Sequence, residues 1–242
     1  MAQKKVSNDP RVLVGWLAVV GAVLAWLMAV LVGAAASFDF EVLDHPAMML
    51  AFSAESQNLY RLSMWADILG WYLPFLAVGG YLWQPMRERL GAVADIGLAG
   101  LVVYAVMGIA GAGLLNLTLA PVAELAAHDP AAKTTAEALW ITLQSGAQGL
   151  WNAEAPVLLL WGTAAARYLR GEKWGYGRLL TLDLCLFAIE FIFNLGGWRD
   201  LGETVQMATL VIHPLWLLLF GISLLREPVM VRVAHYPAAR QG

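Results

Sequence analysis

Six uninterrupted apolar runs divide the chain, at about residues 12–36, 63–84, 92–118, 141–166, 179–197 and 204–225, with polar residues gathered between them. Each run is long enough to cross the ~30 Å hydrocarbon core of a bilayer at ~1.5 Å rise per residue. A segment in lipid must satisfy its own backbone N–H and C=O groups, so the runs are predicted to be α-helices. The expected fold class is all-α: a polytopic transmembrane bundle of six helices, forming a single membrane domain over residues 1–242.

Composition supports this and excludes an ordinary soluble domain: 60% of the residues are apolar, 14% are charged, and the mean hydropathy is +0.64. The cations set an expected orientation. With the N-terminus inside, Lys4, Lys5, Arg11, Arg87, Arg89, Arg167, Arg170, Lys173, Arg178, Arg226, Arg232 and Arg240 fall on the cytoplasmic side, and only Arg61, Lys133 and Arg199 fall outside. That bias predicts cytoplasmic N and C termini. Lys4, Lys5 and Ala34-Ala35-Ala36-Ser37 also have the layout of a cleaved secretory signal. The run from Val12 to Gly33 exceeds the ~7–15-residue core of such signals, so the first span is expected to remain.

Other classes drop out on chemistry. The one cysteine, Cys185, leaves no internal disulfide and no Cys-x-x-Cys metal motif. A formal charge of −3, without a basic stripe, gives no nucleic-acid partner. The expected partners are membrane lipids and a small-molecule ligand, with a homo-oligomer or a larger membrane complex as further readings. The connections at 84–89 and 171–178 are too short to hold a soluble catalytic module. The longer outer stretches are 37–62 and 119–140, and Asp44-His45-Pro46 predicts the start of a short interfacial helix over the outer mouth.

The chemistry lies within the spans. Glu154, Glu190 and His213 each sit about twelve residues from the cytoplasmic end of their run, which places all three ~18 Å deep. Ionisable groups there cost on the order of 2.5–3.5 kcal/mol each and face one another or a wet cavity. Asp183, Glu190 and Asn194 share one stripe of the fifth span, and Gln206, Thr209, His213, Trp216 and Phe220 share one face of the sixth. Gln144, Gln148 and Asn152 follow each other at i+4 on the fourth, with Glu154 off that line. Pro156 is expected to re-aim these side chains, as Pro214 and Pro74 are in their own spans.

Sorted by depth, Asp67, Asn116, Gln144 and Asn194 lie near the outer boundary and Asn152 is a little deeper. The expectation is an outward-opening polar vestibule with a Glu154/Glu190/His213 floor. Its candidate ligand- or proton-binding residues are Glu154, Glu190, His213, Asn152, Gln148, Asn194 and Asp67.

The plainer reading makes these residues interhelical hydrogen-bond glue, worth on the order of 0.6–2 kcal/mol each. It suits Gln144, Gln148, Asn152 and Asn194 best. Glutamates fit it less well, since glutamine would give similar glue without the charging cost. No metal is assigned, because Glu-x-x-His and His-x-x-x-His spacings are absent from this set. Bis-histidine haem is disfavoured because His45, His128 and His235 fall in loops or the tail. Met48 and Met49 are expected to seat the outer helix on the membrane rather than hold copper with His45. The cofactor stays open.

Gly97, Gly100, Gly108, Gly111 and Gly113 make the third span the expected central packing helix. Trp65, Trp83, Trp140, Trp174 and Trp198 suit interfacial belts, and Trp71, Trp151, Trp161 and Trp216 lie deeper. Arg61-Leu62-Ser63 leading to Asp67, and Gly149-Leu150-Trp151-Asn152-Ala153-Glu154 followed by an apolar run and Gly162, resemble patterns in uncharacterised six-helix bacterial integral membrane proteins. The resemblance implies six helices in a bacterial cytoplasmic (inner) membrane and no particular activity. Together these readings predict a protein that binds or translocates a small ligand, with proton coupling through the buried glutamates. The alternatives are a membrane-embedded enzyme acting on a lipid or isoprenoid, with Glu154 or Glu190 as acid/base, and an accessory subunit of a larger complex.

Overall fold

The computed structural model describes residues 9–39, 41–128, 130–172 and 176–226. Lys4, Lys5, Lys173, Trp174, Arg232, His235 and Arg240 lie outside the described residues. The elements are α1 (Pro10–Ala35), α2 (Glu41–Asp44), a 3-10 turn (Pro46–Ala51), α3 (Ala54–Asp67), a π-helical turn (Ile68–Tyr72), α4 (Leu73–Leu90), α5 (Ala92–His128), α6 (Lys133–Gly171), α7 (Tyr176–Leu195) and α8 (Arg199–Arg226). Among the described residues there is no strand.

Four continuous helical stretches are long and apolar enough to cross a membrane: Pro10–Ala35, Ala54–Leu90, Ala92–His128 and Asp200–Arg226. The protein is therefore a multi-pass membrane protein by length and apolarity. On α1 the apolar Leu13, Trp16, Val20, Val23, Leu27 and Val30 are exposed at three- and four-residue spacing, a face suited to lipid. The helices α6 and α7, expected as the fourth and fifth spans, fall short of the same apolarity. Their own polar residues are the reason: α7 carries Arg178, Asp183 and Glu190 in 20 residues, and α6 carries Gln144, Gln148, Asn152 and Glu154.

Local sequence explains the boundaries. Asp9 caps α1 by accepting from the Arg11 amide at 3.0 Å, with Pro10 at the first helical position. Ser53 caps α3 by accepting from the Ser56 amide at 3.1 Å. Gly91 (φ +56°) and Gly197 (φ +78°) supply the left-handed turns that end α4 and join α7 to α8. The residues at 119–140, expected as an outer loop, are mostly helix, because α5 runs on to His128 and α6 starts at Lys133. These extensions bury Leu119, Val122, Ala136 and Trp140 in a second core with Tyr60 and Met64. Trp140 is thus a core residue and not a belt residue.

The expected short outer helix is the α2 segment and the 3-10 turn. His45, not Asp44, occupies the cap position, and its Nδ1 lies 2.9 Å from the Glu41 carbonyl. Met49 does not rest on the membrane surface: it is fully buried in the second core, and Met48 is exposed.

The most enclosed of the four apolar stretches is Ala54–Leu90, not the glycine-rich α5. The glycines of α5 act locally: a Cβ at Gly100 would stand 2.6 Å from the Val157 carbonyl oxygen, and one at Gly111 would stand 2.8 Å from Trp151 Nε1, so α5 and α6 approach closely. On the opposite side, a Cβ at Gly70 would stand 2.5 Å from the Ala25 amide nitrogen, so α1 lies directly against the π turn. The helices α6 and α8 continue through Pro156 and Pro214, whereas the backbone ahead of Pro74 adopts the π turn.

Candidate functional site

The π turn places Trp71 and Tyr72 on the inside of the bundle, both buried. Tyr72 reaches α6, where its hydroxyl lies 3.1 and 3.2 Å from the two carboxyl oxygens of Glu154 and donates to that carboxyl. Gly108 on α5 makes room for the ring, since a Cβ there would collide with it. Glu154 is 4% exposed. Asp67 and Glu190 both stand within electrostatic reach of it, and Asp67 also reaches the Tyr72 hydroxyl. Asp67 is buried, whereas Glu190 is half-buried. Among the described residues none of these three carboxyls takes part in an ion pair.

A second polar pair lies in the same core. Asp183 and His213 are fully buried, with His213 Nδ1 2.8 Å from Asp183 Oδ2. Trp71 stacks on the imidazole at 4.3 Å between centroids and 20° between planes, and Phe75 and Phe187 close over it at 4.5 and 5.7 Å. Trp71 Nε1 donates to the Tyr104 hydroxyl at 2.6 Å, and the Tyr104 and Tyr72 rings pack at 5.3 Å. The Tyr104 hydroxyl is within electrostatic reach of both Glu154 and Asp183. Buried polar groups therefore run from Glu154 through Tyr72, Tyr104 and Trp71 to His213 and Asp183.

This arrangement corrects the expected Glu154/Glu190/His213 floor. The partner of His213 is Asp183, and the hairpin register gives the reason. Between α6 and α7, Asn152 meets Asn194 and Gly162 meets Leu184, which sets Asp183 opposite position 163. That level is nine residues from Glu154, about 13 Å along the axis.

The amides form a third group. Asn152 Oδ1 accepts from Gln148 Nε2 and from Asn194 Nδ2, each at 3.2 Å. This clasp between α6 and α7 faces away from Glu154, as their offset on the helix requires. Gln148, Asn152 and Asn194 thus match interhelical glue. Asn116 does too, donating to the Arg61 carbonyl at 2.7 Å. Gln144 Nε2 lies 3.9 Å from Met49 Sδ at the edge of the second core.

Sequence reasoning missed Tyr72, Tyr104 and the role of Asp183. Tyrosines carry no spacing signal, but the Asp183–His213 pairing was readable from the turn between α7 and α8. Among the described residues no group of three or more His, Cys, Asp or Glu side chains has a metal-binding arrangement. Two surface depressions, lined by Asn58, Arg61, Leu62 and Trp65 and by Trp83, Gln84, Arg87 and Glu88, do not include Glu154 or His213.

No protein-family model, curated protein or solved structure matches this chain. The site's own groups are three carboxyls that take part in no ion pair among the described residues, and a tyrosine hydroxyl holds the most buried of them.

Proposed function

We propose that the chain crosses a bacterial inner membrane six times, with both termini cytoplasmic, and that it binds a small cationic or protonatable ligand from the outer side. Ligand binding exchanges with a proton at Glu154, with Asp67 and Glu190 as neighbouring carboxyls. The observation that carries this reading is Glu154 itself, 4% exposed, hydrogen-bonded by Tyr72 and near two further carboxyls. A carboxylate held so deep costs on the order of 2.5–3.5 kcal/mol, which a proton or a bound cation offsets.

The orientation is supported by the described arginines at the α4, α6 and α8 ends and at the α1 and α7 starts, all at one end of an alternating set of helices. The amide clasp between Asn152 and Asn194 holds α6 against α7, the two helices that carry Glu154 and Glu190.

Proteoliposomes loaded with a pH-sensitive dye test the reading. Under an imposed proton gradient and a potassium diffusion potential, the wild type is expected to acidify the lumen faster than Glu154→Gln or Glu190→Gln. Equal rates for the wild type, both variants and protein-free vesicles would remove the proton-exchange proposal.

A further inference from the structure

The geometry points to the Asp183–His213 pair as a second proton-binding station, on the inner side of the Glu154 site, with His213 Nε2 as the atom that takes the proton. The inference deepens the proton-exchange reading of Glu154, and it is tested by a readout independent of transport.

Both side chains are fully buried, yet among the described residues His213 Nε2 and Asp183 Oδ1 have no hydrogen-bond partner. Buried polar atoms are nearly always paired, so two orphans on one pair need a functional account. An ionised Asp183 can only accept across the 2.8 Å contact, so in that form the imidazole carries its proton on Nδ1 and the Nε2 lone pair is free. A proton bound there forms one N–H bond and breaks none within the pair. It changes the pair from a net single negative charge to a neutral imidazolium–carboxylate pair, which suits a low-dielectric interior better.

The surroundings fit a cation on the ring. Trp71 presents its π face to the imidazole at 4.3 Å, an arrangement that attracts positive charge. Of the elements around His213, α7 contributes Asp183. The helix α5 contributes Tyr104, reached through Trp71, and α6 contributes Glu154 beyond Tyr104. The α3 helix and the π turn contribute Asp67 and Tyr72 on the Glu154 side. From α1 there is no titratable residue after Arg11. No lysine or arginine is hydrogen-bonded or ion-paired to either member of the pair among the described residues. Tyr104, within reach of both carboxyl groups, is the positioning residue that links the two stations.

The experiment uses the full chain in lipid nanodiscs. An imidazolium stacked on an indole quenches its emission, so the emission difference between wild type and Trp71→Phe reports the charge on His213. Expected is a quenching step on acidification that is lost in His213→Gln and in Asp183→Asn but retained in Glu154→Gln. An identical pH profile in wild type and His213→Gln would overturn the inference. Histidine-labelled 15N NMR of the unaltered protein gives a second readout should a variant fail to fold. A buried resonance passing from the one-proton to the two-proton pattern supports the station, and one fixed in the one-proton pattern overturns it. Protein that shows the step but no vesicle flux keeps this station and loses the transport reading, and the reverse result separates them the other way.

Discussion

Asp183 and His213 face each other because each lies fifteen residues from Trp198, at the turn between α7 and α8. The same register brings Asn194 against Gly202, each four residues from that turn. The pair predicts an asymmetric mutational response. Asp183→Ala leaves a buried imidazole without its partner and is expected to cost about 3–5 kcal/mol. Replacing both, as Asp183→Leu with His213→Leu, removes the desolvation cost along with the attraction and is expected to fall within about 1–2 kcal/mol of wild type. Thermal unfolding in detergent measures both; equal losses for the single and double replacements would contradict the buried pair.

Tyr72 and Gly108 form one structural unit, so two different substitutions should give one phenotype. Tyr72→Phe removes the hydroxyl that holds Glu154 and is expected to destabilise by about 1–3 kcal/mol. Gly108→Ala drives a methyl group into the Tyr72 ring and is expected to cost a similar ~1–3 kcal/mol. At Gly113 an added Cβ meets open space, so Gly113→Ala is expected to stabilise by about 0.5–1 kcal/mol through helix propensity alone. Chemical denaturation of the three variants checks the order, which a tolerant Gly108 would reverse.

These residues also show how far the sequence carries. Continuous apolar runs at Val12–Gly33 and along α5 made helical membrane segments legible, because lipid solvation demands both length and apolarity. Glu154 stood out because a carboxyl amid Trp151, Ala155 and Leu158 has no cheap structural substitute. What failed was depth. Span ends are blurred by polar turns and by helices that continue past the bilayer, as α5 and α6 do to His128 and from Lys133. Tight turns fix register far better, and counting from Trp198 places His213 beside Asp183 and away from Glu190. Tyr72 was hidden for another reason: the π turn redirects side chains, and nothing in Ile68–Tyr72 marks that backbone in advance.

One pH effect is expected outside the bilayer, at Asp9. Its carboxyl accepts from the Arg11 amide at 3.0 Å and from the Arg11 guanidinium at 2.8 Å, bonds that hold it below the usual carboxylate range. A depressed folded value means that the contribution is present above the unfolded value and is lost as pH falls through the folded one. The first turn of α1 should therefore keep its cap down to the ordinary aspartate range and fray only below it. Amide hydrogen exchange at Arg11 and Val12 is the measurement. Asp9→Ala should already show the frayed behaviour at neutral pH, and protection independent of both acid and substitution would mean the cap contributes nothing.

The six-crossing topology makes a sharper demand, because α6 and α7 are the helices whose polarity puts them below the apolarity of the other four. If both cross, the α4–α5 turn at Gly91 and the α5–α6 turn at Ala131 lie on opposite faces, and Gly197 shares the face of Ala131. In a Cys185→Ala background, Ala131→Cys and Gly197→Cys should react with a membrane-impermeant maleimide on intact cells, while an introduced cysteine at Gly91 should react only after lysis. Labelling of the Gly197 position only after lysis, with the Ala131 position open from outside, would mean that the α6–α7 hairpin crosses an odd number of times. The carboxyl cluster of α6 and α7 could then no longer open to the outer face as proposed.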